Sequence, residues 1–209
     1  MTSVFPSRLF AIVLTAILSI AGLYYANFHL CSECAMTNEV SSQVTINMPR
    51  TEAWEKLRDL TLAHNYVPGL VKTEVTTELK EGVGASRKVF QTETKGINET
   101  VIEWQDGHGF LIRLHRGEKG APPPFKEAFF RYQLDDGDSP ETTLLTTTMS
   151  YTMGMGFVGG LLEKLFLKKL FKGIIRDVAI SLKQFYESGE KVTPAILKQV
   201  KADYKKAAS

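Results

Sequence analysis

Between Ser42 and Pro49, the apolar residues Val44, Ile46 and Met48 alternate with Thr45 and Asn47, the period of a half-buried strand that Pro49 ends. The period then changes. Ala53, Trp54, Leu57 and Leu60 fall at helical spacing, with Thr51 placed to cap and Glu52 and Glu55 in the positive first turn. A second helical turn through Leu62 and His64 is expected to stop at Pro68 and Gly69. Six strand-like runs follow, 70–79, 85–94, 97–104, 110–116, 125–134 and 142–153, rich in Thr, Val, Phe and Tyr. Their links are Gly82-Val83-Gly84, Lys95-Gly96, Gln105 to Gly109, a longer piece ending in Pro122 to Pro124, and Asp135 to Pro140. Links this brief hold no crossover helix, so neighbouring strands are expected to pair antiparallel, seven strands in all.

From 157 to 189 the pattern is that of one long helix, about 50 Å if wholly helical. Val158, Leu161, Leu162, Leu165, Phe166, Leu170, Phe171, Ile174, Val178, Leu182 and Phe185 form a broad apolar stripe along it. Such a stripe has to pack lengthwise on something apolar, and the concave face of the sheet is the natural partner. Residues 190–209 add a basic tail with a short helix from Pro194.

Ahead of all this, Leu9 to Leu30 contains no Asp, Glu, Lys or Arg. As a helix it reaches about 33 Å, enough for a bilayer core of about 30 Å, with Tyr24 and Tyr25 where an interfacial aromatic belt sits. Bulky Tyr24, three residues before a cleavage site after Ala26, argues against a cleaved signal peptide, so an uncleaved signal anchor is expected. Arg8 precedes the span, and the first basic residue after it is Arg50. By the positive-inside rule residues 1–8 face the cytoplasm and the globular part lies outside, in the periplasm if the cell is a Gram-negative bacterium. Residues 31–40 read as a linker, 41–189 as the folded domain and 190–209 as the tail. Cys31 and Cys34 sit in the linker, where an oxidising compartment would let them close a small disulfide loop; a redox pair normally opens a helix after a strand instead.

With 209 residues, 44% apolar and 23% charged, the chain suits one globular domain plus these extras. The net charge of +2 is unevenly spread. Residues 36–156 carry 13 Lys and Arg against 17 Asp and Glu, whereas 157–209 carry 11 against 5. Lys164, Lys168, Lys169, Lys172 and Arg176 form a basic strip on the long helix. Beside a bilayer, Lys164, Lys168 and Lys172 are placed to meet anionic headgroups; nucleic acid is not expected as a partner at so small a net charge.

Several motifs fail on inspection. Gly154-Met155-Gly156-Phe157-Val158-Gly159 spells a dinucleotide fingerprint, but no strand returns after it to complete the unit, and a strand-to-helix hinge is the better reading. The acidic turn Asp135 to Asp138 lacks the bidentate Glu of a calcium loop. His64, His108 and His115 fall on different elements without metal-ligand spacing, so neither metal nor cofactor is expected. His115, Arg113 and Glu103 are expected to face outward, because alternation sends Ile112 and Leu114 to the other face. No catalytic residue is assigned.

Val44-Thr-Ile-Asn-Met-Pro49 followed by Ala53-Trp54, Leu57, Asp59 and Pro68-Gly69, then Gly82-Val-Gly84 before the third strand, and a terminal helix ending in Leu182-Lys183, resembles the START-like (SRPBCC) superfamily of polyketide cyclases, lipid-transfer domains and birch-pollen-type proteins. The resemblance runs from about Ser41 to Gly189 and implies an α+β helix-grip fold, a seven-stranded antiparallel sheet wrapped on the long C-terminal helix. Here one transmembrane helix precedes it. It also implies a cavity between sheet and helix for a hydrophobic small molecule such as a lipid, quinone or polyketide. Phe130 and Tyr132 share one strand face, Met149, Tyr151 and Met153 another, and with Leu162 and Phe166 of the helix they are the expected lining. The same faces read equally well as plain core. A polyketide cyclase or dehydratase working in that cavity, with Tyr132, Tyr151, Arg131 and His115 as its polar groups, and a non-catalytic accessory to a membrane partner are the alternatives.

Overall fold

The computed structural model describes residues 38–154 and 167–207. The chain divides into Met1–Cys34 and Ala35–Ser209. The first unit, with the expected span 9–30 and the Cys31 and Cys34 pair, lies outside the described residues. None of the described helices is long and apolar enough to cross a membrane.

Strand β1 (Asn38–Ile46) leads into helix α1 (Arg50–Leu57), a 3₁₀ turn (Leu60–Leu62) and the single-turn helix α2 (Ala63–Tyr66). Then come β2 (Lys72–Val75), β3 (Ser86–Phe90), β4 (Gly96–Gln105), β5 (Gly109–His115), β6 (Phe125–Asp136) and β7 (Thr143–Met153), followed by α3 (Lys168–Ser188) and α4 (Pro194–Ala207). All neighbours pair antiparallel in one sheet of order β1-β7-β6-β5-β4-β3-β2. The α+β architecture and seven strands match the expectation from periodicity. The chain enters at one edge of the sheet beside its last strand, and α1 and α2 carry it across to the other edge.

Three boundaries move, each for a local reason. β1 begins at Asn38, inside the stretch expected to be linker, because it pairs with β7 from Asn38 opposite Tyr151 to Ile46 opposite Thr143. Backbone pairing along a neighbour that long recruits polar Ser41 and Ser42 without needing apolar side chains. β2 is only four residues long, because the Thr77 hydroxyl turns the chain by donating to the Leu79 carbonyl and accepting from the Ser86 amide. α1 starts directly after Pro49, so Thr51 lies inside it and caps nothing; Asp59 is the capping side chain, accepting from the Thr61 amide at 2.9 Å to start the 3₁₀ turn.

α3 lies along β1 and β7 and buries Phe171, Ile175, Val178, Leu182 and Tyr186, spaced four, three, four and four residues apart. Leu170, expected in that stripe, is 42% exposed, because it falls on the solvent side among Lys168, Lys169 and Lys172. The C-terminal end of α3 is pinned to β1: Lys183 donates to the Thr45 carbonyl at 2.7 Å, and Glu187 accepts from the Asn47 amide at 2.6 Å. Gly189 ends the helix at φ 74°. The tail then turns back, the Val192 amide donating to the Asn65 carbonyl and Lys201 pairing with Asp177 of α3 at 2.7 Å.

At the start of β5 the backbone leaves no room for a side chain. Gly109 has φ 148°, and a Cβ there would lie 2.1 Å from the Tyr132 carbonyl oxygen. Gly69, at φ 87°, has open space around it. Gly109→Ala is therefore expected to cost more than about 3 kcal/mol, against about 1 kcal/mol for Gly69→Ala, measured by urea unfolding.

Candidate functional site

Alternation along the inner strands points Ala128, Phe130, Tyr132 and Leu134 of β6, and Leu145, Thr147, Met149, Tyr151 and Met153 of β7, into the interior, where all are buried. The structure thus brings Phe130, Tyr132, Met149, Tyr151 and Met153 together on the face that α3 covers; Leu162 and Phe166 lie outside the described residues. Aromatic rings fill much of this space. Tyr151 meets Phe171 of α3 edge-on at 5.0 Å between centroids, and Phe130 lies 4.7 Å from Tyr132.

Toward the β3 and β4 side, the interior changes character. Arg87 of β3 and Glu99 of β4 stand opposite each other in register, both pointing inward. The Arg87 side chain is 2% exposed; its Nε donates to Glu99 Oε2 at 2.6 Å and its NH1 donates to the Leu60 carbonyl at 3.1 Å. Around this pair stand three buried phenols, Tyr66 of α2, Tyr132 of β6 and Tyr186 of α3. Tyr66 sits between the other two, with centroids 6.2 Å from Tyr132 and 6.3 Å from Tyr186, both edge-on. Separate elements of the fold thus converge on one polar cluster in an otherwise apolar interior.

Burial works against the Arg87 charge, but the Glu99 carboxylate beside it wins and holds the guanidinium above its usual range. Burial pushes the phenols of Tyr66, Tyr132 and Tyr186 up, so all three stay protonated near neutral pH. The Tyr66 hydroxyl lies close enough to the Arg87 guanidinium and the Tyr132 phenol to interact with both, although neither it nor the Tyr186 hydroxyl makes a hydrogen bond of good geometry among the described residues.

The remaining sequence candidates face away. Arg131 pairs with Glu103 on the outer face at 2.6 Å. His115 bonds through Nε2 to the Thr100 hydroxyl at 2.9 Å, which in turn meets Ser86 at 2.8 Å, as outward-facing side chains. Burial and the Arg113 charge hold the His115 imidazole below its usual value. Of the acidic turn, Asp136 takes the Arg50 guanidinium at 2.7 Å, and Arg50 also donates to the Gly107 carbonyl at 2.8 Å. A recess of about 120 Å³ is bordered by Trp104, His108, Phe110, Arg131 and Tyr132; it suits a few waters and is too small for a lipid chain.

Arg87 and Glu99 were not among the sequence candidates, although a signal existed. Arg87 has the same parity as Ala85 and Val89, and Glu99 the same parity as Ile97 and Val101, so each charge occupies an inward position of its strand. Glu99→Gln is expected to destabilise the fold by about 3 kcal/mol by leaving Arg87 buried and uncompensated, whereas Arg87→Met combined with Glu99→Leu recovers most of that loss; urea unfolding of both variants checks it.

With this geometry in place, comparison with known proteins is informative. The sequence matches the family described as "Polyketide cyclase / dehydrase and lipid transport" over residues 37–187. A search against curated proteins gives no match. Among solved structures, the fold is similar to TTHA0849 of Thermus thermophilus, with 20% identity, TM-score 0.56, and coverage of 73% of this chain and 99% of that one. It is similar also to a START superfamily protein of Mycobacterium smegmatis, at 14% identity and TM-score 0.55, covering 71% of this chain and 97% of that one. XoxI of Bacillus cereus aligns at 16% identity and TM-score 0.55, over 72% and 96% of the two chains. At such identities the structural likenesses establish the fold, and the sequence match over most of the chain establishes the family: the protein belongs to the polyketide cyclase/dehydrase and lipid transport family, folded as a START-like helix-grip domain.

Proposed function

We propose that this protein binds and carries a hydrophobic small molecule, a lipid, quinone or polyketide-like compound, between the concave face of the sheet and α3. The observation that carries the reading is the Arg87, Glu99, Tyr66, Tyr132 and Tyr186 cluster. An ion pair buried this deeply contributes little to stability compared with apolar residues of the same volume. Polar groups at one end of an apolar interior are the lining expected where a mostly apolar ligand has one polar group to orient. The family description, which includes lipid transport, supports the same reading. Catalysis as a cyclase or dehydratase is less well served: Tyr132 and Tyr151 point inward, but the buried Tyr132 phenol is a poor proton donor near neutrality, and Arg131 and His115 lie on the outer face.

The reading extends to the membrane. The uncharged stretch 9–30 would tether the domain to the bilayer with its N-terminus cytoplasmic and its domain outside. Lys168 and Lys172, exposed on α3, together with Lys164 would contact anionic headgroups while the ligand is loaded or released.

Three experiments test these statements. The purified full chain is offered radiolabelled phospholipids and quinones by equilibrium dialysis; saturable binding of at least one class is expected, and binding of none would remove the reading. Alkaline phosphatase fused after Gly189 in a bacterial host is expected to be active, and an inactive fusion would reverse the placement of the domain. Lys168→Glu with Lys172→Glu is expected to lower sedimentation with vesicles of anionic lipid about tenfold at low salt, with no change for neutral vesicles.

A further inference from the structure

Helix α4 lies beyond the family match, which ends at residue 187. It doubles back along α3: Val192 is held at Asn65 just after α3 ends, and Lys201 then reaches Asp177 in the middle of α3. Ile196, Leu197 and Val200 are half-buried against the domain, while Lys198 and Lys205 are exposed. On α3, Lys168, Lys169, Lys172 and Arg176 are exposed. The Lys201 and Asp177 pair stitches the helices side by side, and Lys205 sits one turn beyond it, toward the end of α3 that carries Lys168, Lys169 and Lys172. None of these six exposed cations has an ion-pair partner among the described residues. The acids nearest them in sequence are engaged, Asp177 by Lys201 and Asp203 by the Gln199 amide at 3.1 Å.

Two of the large hydrophobic residues exposed among the described residues fall in this basic surface, Leu170 at 42% and Tyr204 at 38%. Leu170 precedes Asp177 by two turns on the same side of α3, and Tyr204 follows Lys201 by one turn. Because the helices run in opposite directions, both lie on the same side of the ion pair, along the seam between the helices. A soluble polyanion would match the charges but leave Leu170 and Tyr204 in water. An anionic bilayer matches both, with phosphates for the cations and the boundary between headgroups and acyl chains for the apolar side chains. The place in the fold agrees with this. Phe171 packs on Tyr151, which pairs in register with Asn38, so the basic end of α3 lies at the end of the sheet where the chain enters the domain.

We infer, on the membrane reading above, that α3 and α4 together form one docking surface for an anionic bilayer, with the tail supplying Lys198, Lys205 and Tyr204 as its second half. A single strip of charge leaves the domain free to roll about the axis of α3. A second basic helix packed beside the first removes that freedom, and the fields of the two add because neighbouring helices lie within about a Debye length of each other. The tail thereby sets the orientation of the domain on the membrane.

The test uses the full chain reconstituted into lipid nanodiscs of phosphatidylcholine alone or of an equimolar mixture with phosphatidylglycerol. Lysines are labelled with an amine-reactive reagent at low salt and read residue by residue by mass spectrometry. Lys168, Lys172, Lys198 and Lys205 are expected to label about fivefold more slowly in the anionic discs, the factor for one cation near an anionic surface. Lys56 and Lys80, on other elements, are expected to label equally in both. In the Lys198→Glu, Lys205→Glu variant the protection of Lys168 and Lys172 is expected to fall about twofold or more. Protection confined to the α3 lysines, with Lys198 and Lys205 labelled equally in both discs, would overturn the assignment. So would α3 protection undiminished in the variant, or the same protection given by soluble polyphosphate around neutral discs, which would make the surface a polyanion site. Equal labelling of every lysine in the two discs would instead overturn the headgroup contact on which the assignment rests.

Discussion

A guanidinium inside a protein has to be compensated, and the position of Arg87 makes that constraint felt across the domain. Its carboxylate partner comes from the next strand, its carbonyl partner from the 3₁₀ turn after α1, and the phenols around it from α2, β6 and α3. The register between β3 and β4 places Arg87 opposite Glu99, and a one-residue slip of either strand would turn that strand's charge to the outer face and take its valine, Val89 or Val101, out of the core. The ion pair thus couples strand register to the seating of the helices that close the sheet.

The opposite side of the domain is held by different means. β1 and β7, paired over nine residues, form a platform for α3, and Lys183 and Glu187 fasten the end of that helix to the backbone around Thr45 and Asn47. With the C-terminal end of α3 fixed, Tyr186 is delivered to the polar cluster while Phe171, about four turns earlier, reaches Tyr151. One rigid helix therefore contributes both to the apolar interior and to its polar end. The tail reinforces the arrangement through Val192 on Asn65 and Lys201 on Asp177, which brings the chain back over the segment that carries Tyr66.

Much of this architecture was legible in the sequence. Period-two runs separated by short glycine-containing links specify antiparallel neighbours, and the apolar stripe from Phe171 to Phe185 specifies a helix with one buried face. Phe130, Tyr132, Met149, Tyr151 and Met153 were legible as inward-facing for the same reason. The ends of elements were harder, because β1 is extended by the length of its neighbour β7 and β2 is cut short by a side-chain hydrogen bond from Thr77, both tertiary or local effects that periodicity does not carry. The polar cluster was missed because a charged residue at an inward position reads as a break in the pattern, when it is the pattern's most informative member. Tyr66 and Tyr186 are 120 residues apart in sequence and meet only once α3 has packed on α2, so no linear motif announces them.

The proposed reading, a hydrophobic small molecule carried between the sheet and α3, is checked most directly by looking for that molecule. Mass spectrometry of the small molecules extracted from the intact protein, purified from its native cells in mild detergent, makes the comparison with the total lipid of the same cells. The account predicts one enriched apolar species. An extract with the composition of the total lipid, or an empty one, would contradict it and leave the cluster as a structural feature of a filled core.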